Sequence, residues 1–453
     1  MTRAIRSLAV APEVIASASC VLDVPVDPLD FLAAFPERQR LLWLRDADDE
    51  HVAAVGATAV VEAAGDARFV DAAQALATLP FAGDAGRAVV VGGFSFDAHA
   101  RPAAPWRAFP AARLVLPRLA LVRRDGTTHL VATADASEEG AARSGARALL
   151  ERTRAGLGRA LARGRRAAIK AAPHRPASFR VRALAPTAAW RDAVRAALDE
   201  VEAGRLAKVV LARAVEVDAG AALDPLRVAS RLRAAHPGCA VFAVLHGDAA
   251  FVGATPELLA RVDGHRLRTA AVAGSAARGE RAGDDRARAA ALRASAKDRA
   301  EHAAVVDDLA ERLRPLCRHL TVPAAPRVLR TAVVQHLWTP IRGTLRRDVG
   351  LLDVAGVLHP TPAICGVPRA AALARVLAHE RVARGWYGGC LGWLDAHDRR
   401  SGELGVAIRT ALLHGQRAIL HAGAGLVRGS RWESELEETR LKLRAMLHAL
   451  LEV

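Results

Sequence analysis

Aromatic residues make up only 4% of this 453-residue chain, and tyrosine occurs once, at Tyr387. So little stacking surface speaks against a protein that grips single-stranded nucleic acid, where bases need rings to lie on. No run of about 18 uncharged apolar residues exists to cross a membrane. The five cysteines, Cys20, Cys239, Cys317, Cys365 and Cys390, are odd in number, far apart and free of C-x-x-C spacing. That pattern excludes a disulfide framework and a zinc site, and it points to reduced thiols in the cytoplasm. The opening MTRAIRSLAVAPEVIASASC imitates a secretory leader, but Pro12 and Glu13 interrupt its apolar stretch, so secretion is not expected.

Lysine is also scarce. Of 64 basic residues only Lys170, Lys208, Lys297 and Lys442 are lysines, and the other sixty are arginines. Where arginine is so favoured, a lysine marks a place that a guanidinium will not serve, such as a base that must lose its proton. Lys170 is the weakest instance, since it ends the dense basic run RALARGRRAAIK. The formal net charge of +16 would suit a polyanion, yet arginines are scattered through nearly every segment, so no nucleic-acid partner is expected.

What is present is ample apolar content, 52%, in a chain long enough for two domain-sized halves or one large α/β unit. The first half, residues 1–170, alternates short strands and helices and shows no catalytic constellation. Strands are expected at 41–44 and 87–96, a helix at 69–79, and strands at 113–122 and 128–133 about the Asp125-Gly126 turn. A helix over 137–163 leads to a Pro-containing linker at 171–186. Residues 187–453 form the expected catalytic domain. There Thr187 can cap a helix that Gly204 ends, and 208–213 reads as a strand with Lys208, Val210 and Ala212 on one face. An amine aimed among apolar neighbours is a candidate general base, although a lysine guarding an edge strand fits the same pattern. Glu257 follows the end of a strand and serves either as a general acid or as a cap for the next turn. His336 is read as ending a strand over 327–334, and Arg409 as lying on a strand over 406–410, its planar fork suited to a carboxylate.

The C-terminal stretch HAGAGLVRGSRWESELEETRLKL sets Gly423, Gly425 and Gly429 before an acidic helix. We read the glycines as a turn that lets backbone amides reach an anion. From Trp432 the spacing is helical, with Glu435, Glu438 and Lys442 on one face and Leu436, Leu443, Leu447 and Leu450 on another. Such carboxylates are hard oxygen ligands suited to Mg²⁺, or else one half of solvated Glu–Lys pairs.

Taken in order, these stretches resemble the chorismate-utilising enzymes: KVVLAR from Lys208, GATPELL from Gly253, AGSAARG from Ala273, KDRAEH from Lys297, QHL from Gln335, HPTPAICGVP from His359, WYGG from Trp386, AIRTA from Ala407, then GAGLVRGS and ELEETRLKL. The resemblance spans about residues 208–443. It implies an α/β (α+β) fold, a large sandwich of antiparallel-rich sheets with outer helices. It also implies the isochorismate synthase branch, which adds water at C2 of chorismate with loss of the C4 hydroxyl. Isochorismate and salicylate synthases resemble this chain in having a lysine where Lys208 stands, whereas anthranilate synthases have a glutamine. Ala273 stands where aminodeoxychorismate synthases carry a nucleophilic lysine, which disfavours that branch. A salicylate synthase, which goes on to eliminate pyruvate, is the alternative.

By that resemblance Lys208 is the base and Glu257 the acid. Glu301 and Glu438 are implied Mg²⁺ ligands, with Asp298 and Glu435 near the metal or its waters. Arg409 and Tyr387 are implied to hold the enolpyruvyl carboxylate, and the Gly274 and Gly425 backbone with Lys442 the other oxygens. Ser275, His336 and Thr361 complete the implied substrate site. A monomer or homodimer serving menaquinone or siderophore biosynthesis is expected.

Overall fold

The computed structural model describes residues 12–83, 86–100, 104–170, 179–331 and 334–451, and residues 171–178 of the expected linker lie outside them. Two large sheets form the framework, one of 12 strands and one of 10, and the strand pairings are antiparallel throughout. Both sheets mix the two parts of the chain. In the larger, Gln39–Arg45 pairs with Ala240–His246; in the smaller, Val89–Phe94 pairs with Cys390–Asp395.

Alternation along a strand explains the layers. In the Gln39–Arg45 strand, Leu41 and Trp43 point into the core between the sheets, where they join Phe94, Phe242, Phe251 and Trp386. Leu42 and Leu44 point the other way, to a second core under the outer helices, with Phe31, Leu232, Leu443 and Leu450. The helix Pro28–Ala34 is started by Asp27, whose carboxylate accepts the Leu29 N–H at 2.8 Å. Among the described residues no helix is long and apolar enough to cross a membrane, and all five cysteines are free thiols.

Several elements depart from the sequence reading. The expected strand over 113–122 is two, Ala112–Leu116 in the smaller sheet and Leu119–Arg124 in the larger, because Pro117 breaks the ladder where the chain changes sheet. The basic run before the linker is the end of a helix, Glu139–Lys170. Thr187 opens its helix without capping it; Pro186 takes the cap position with no side-chain bond. His336 lies within the Val334–Leu345 strand, since the chain reverses between Arg327–Arg330 and that strand, pairing Arg330 with Gln335. Arg409 sits in the connection between Gly402–Val406 and Thr410–His414, at φ 53. Gly423 and Gly425 form no turn: they belong to the Arg417–Leu426 strand, paired with Ala212 and Val210.

Candidate active site

A cleft of about 860 Å³ opens where the Lys208–Asp218 and Arg417–Leu426 strands face the Arg266–Ala277 strand and the helices Ala296–Leu313 and Trp432–Leu451. All the expected site residues line it except Thr361, Asp298 and Glu435. Lys208 is buried at the start of its strand, and its Nζ lies 2.7 Å from Glu301 Oε1. The glycines of the neighbouring strand make this pairing possible. A Cβ on Gly425 would stand 3.1 Å from both Glu301 Oε1 and Lys208 Cε, and one on Gly423 would stand 3.2 Å from the Tyr387 hydroxyl.

Glu257 follows the Ala249–Thr255 strand and is fully enclosed, with the Thr361 hydroxyl 3.5 Å from its Oε1. Burial pushes its carboxyl up to about 7, against the pull of Lys208. A carboxylic acid in this state holds a proton near neutral pH and can deliver it.

On another wall Arg409 is half-buried and forms no ion pair among the described residues. Its Nη2 lies 3.3 Å from Thr331 Oγ1 and 3.5 Å from His336 Nε2, and its Nη1 lies 3.7 Å from Cys239 Sγ. Burial, then the charge of Arg409, depresses His336 to about 3, so the ring is neutral. With a guanidinium facing Nε2, the ring proton sits on Nδ1 and is donated to Ser275 Oγ at 2.9 Å. A half-buried guanidinium without an ion-pair partner is a ready partner for a substrate carboxylate.

Lys442 donates to Gly423 O at 2.9 Å and pairs with Glu438 at 2.6 Å. Tyr387 stacks on His421 with ring centroids 5.1 Å apart, and burial raises its hydroxyl above the usual range. Glu301 is shifted the other way. Burial opposes its charge, but Lys208 and Lys442 together hold its carboxyl below the usual value. Glu435 stands behind the cleft, 3.8 Å from Lys297, where burial and then the carboxylate of Glu438 push it up to about 7. Asp298 packs beneath Gly274, its Cβ 3.1 Å from where a Gly274 Cβ would be. Among the described residues no three ligating side chains converge on one point.

Sequence reasoning missed Cys239 and Thr331 beside Arg409, His421 under Tyr387, and the buried pair Glu380–Arg384. Arg384 is one of sixty arginines, so composition offered no signal for it.

The chorismate binding enzyme family matches this sequence over residues 5–451. The chain belongs to the chorismate-binding enzymes. Among members of that family it is 36% identical over 447 residues to the salicylate biosynthesis isochorismate synthase of Pseudomonas aeruginosa, covering 96% of this chain and 90% of that one. It is 39% identical over 242 residues to the isochorismate synthase EntC of Escherichia coli, covering 53% of this chain and 61% of that one. Its fold matches the solved structure of MenF, the menaquinone-specific isochorismate synthase of Escherichia coli, with a TM-score of 0.76 at 26% identity, over 96% of this chain and 94% of that one. The large antiparallel sandwich with outer helices is therefore the fold of the chorismate-binding enzymes, as the resemblance implied.

Proposed function

We propose that this chain is an isochorismate synthase, an isomerase that adds water to C2 of chorismate and releases the C4 hydroxyl. The observation that carries the reading is the placing of Lys208 and Glu257 on one cleft, an amine for the role of base and a carboxyl held near 7 able to give a proton. Lys208 Nζ takes a proton from water as the water oxygen bonds to C2. Both ring double bonds move one position, C1=C2 to C1=C6 and C5=C6 to C4=C5, the C4–O bond breaks, and Glu257 protonates the departing hydroxyl, which leaves as water. Glu301, 2.7 Å from Nζ, stabilises the ammonium so formed. One proton passing from Lys208 to Glu257, directly or through solvent, resets the site. Arg409 and Lys442 give the two substrate carboxylates their counter-charges, and Tyr387 holds the enolpyruvyl side.

The carboxylates fit a resident Mg²⁺. Glu435 is raised by burial and then by its neighbour Glu438, and a cation would relieve the second, like-charge part. Mg²⁺ commonly takes one or two protein carboxylates and fills its remaining positions with water and substrate. Glu301 and Glu438 are the two that line the cleft and would bind directly, with Asp298 and Glu435 behind them. The ion would supply charge neutralisation at the substrate's ring carboxylate.

A relative matching over 96% of the chain is named a salicylate biosynthesis isochorismate synthase, which is consistent with this reading and with a salicylate synthase. The free cysteines suit a reducing cytoplasm. Incubation of the purified protein with chorismate and Mg²⁺, followed by chromatography, is expected to show isochorismate approaching an equilibrium mixture. Stoichiometric pyruvate with salicylate would move the assignment to salicylate synthase, and ammonium-dependent anthranilate would overturn it.

A further inference from the structure

The strand that carries Lys208 has a gap in its outer edge. Val367 and Gly366 pair with Lys208 and Val209, and the strand Arg180–Ala183 pairs with Val215–Asp218. Between them, residues 210–212 have no strand on that side; the Val210 N–H donates to Cys365 O at 2.8 Å, and side chains meet the other backbone groups. Arg384 Nη2 donates to Val210 O at 2.8 Å, and Glu380 Oε1 accepts the Ala212 N–H at 2.7 Å. Arg384 also donates through Nη1 to Ile364 O at 2.7 Å and through Nε to Glu380 Oε2 at 2.8 Å. Its guanidinium carbon lies 4.1 Å from the Phe96 ring centroid and 5.8 Å from that of Tyr387.

Neither Glu380 nor Arg384 reaches the cleft, yet Val210, Ile364 and Tyr387, which they touch, all line it. We propose that Glu380 and Arg384 are positioning residues that fix Lys208 on its strand against Tyr387 and the 363–365 wall. The inference rests on Lys208 being the base. Charge burial alone does not account for the pair, because buried ion pairs are often replaceable by apolar residues of similar volume. An apolar pair, however, cannot donate to Val210 O and Ile364 O or accept from Ala212, so those three backbone groups beside Lys208 would lose their partners.

Three variants test it: Glu380→Gln, Arg384→Lys, and the charge-free double variant Glu380→Leu with Arg384→Met, which leaves no lone buried charge. Sites are counted by titration with chorismate in Mg²⁺ buffer, so that turnover refers to binding-competent protein only. We expect kcat per site to fall about ten- to a hundredfold with KM within about threefold, as a misplaced base predicts. The fall should persist in the double variant. Parent-like kcat per site in any of the three overturns the proposal, as does a loss confined to KM or to the number of sites. A parent protein that leaves chorismate unchanged counts against the proposed function, a result distinguishable from these.

Discussion

Lys208 and Glu301 meet at 2.7 Å against Gly425, where a Cβ would stand 3.1 Å from both and crowd the pair. The base, the carboxylate beside it and the glycine strand are one packing unit. Gly425→Ala should therefore damage function more than folding. Overpacking of this size costs about 1–3 kcal/mol, while the displacement falls on the reacting amine. We expect turnover to drop by about ten- to a hundredfold with a modestly lowered Tm. Full turnover in Gly425→Ala would show that the cleft does not need this contact.

The rarity of lysine gives the next test a clean reading. Lys208→Arg keeps a long basic side chain, and Lys208→Gln keeps much of the length, but neither accepts a proton near neutral pH. Both should lose about a hundred- to ten-thousand-fold in turnover while still binding chorismate, as followed by calorimetry. Lys208→Arg turning over at the parent's rate would remove Lys208 from the role of base.

Metal dependence is checked by removal. EDTA should silence the parent, and added Mg²⁺ should restore it and raise its Tm, since an ion bound only by the folded state stabilises that state. Glu301→Gln and Glu438→Gln should each raise the Mg²⁺ concentration needed for half-maximal activity by about tenfold or more. Activity in metal-free buffer equal to that in Mg²⁺ would exclude the carboxylate site as a metal site.

Some of the residues that line this cleft stood out locally and most were implied by the family resemblance, and the exceptions have physical causes. Lys208 and Glu257 stood out because a scarce lysine on a strand and a carboxyl at a strand end are local patterns. Gly423 and Gly425 were read as a turn, since glycine signals turns; their actual service is close approach between neighbours distant in sequence, Glu301 and Tyr387. Arg409 was placed on a strand because Ala407 and Ile408 resemble one. Its left-handed φ of 53 is imposed where the chain passes from the smaller sheet to the larger. The break at Pro117 and the Glu380–Arg384 patch depend on which strands lie adjacent, which no local window contains.

The last prediction concerns Glu257, whose carboxyl is raised by burial to about 7. An acid with its folded value above its unfolded one binds more protons when folded, so its contribution to stability is greatest at low pH. That contribution declines as pH rises between the unfolded value and about 7, leaving a fixed penalty above. Glu257→Gln removes the penalty, because an amide is neutral at every pH. The variant should therefore be more stable than the parent at pH 8–9, by up to about 3 kcal/mol, with the difference shrinking toward pH 5. The same change should abolish turnover with chorismate binding nearly intact, since the amide keeps the shape and cannot protonate the leaving hydroxyl. In the parent, forward kcat/KM should fall as pH rises through about 7, where the free enzyme loses that proton. Thermal melts of parent and variant from pH 5 to 9, run beside the rate profile, measure both effects. A variant that retains turnover, or whose Tm tracks the parent's at every pH, would mean that Glu257 is not the buried acid.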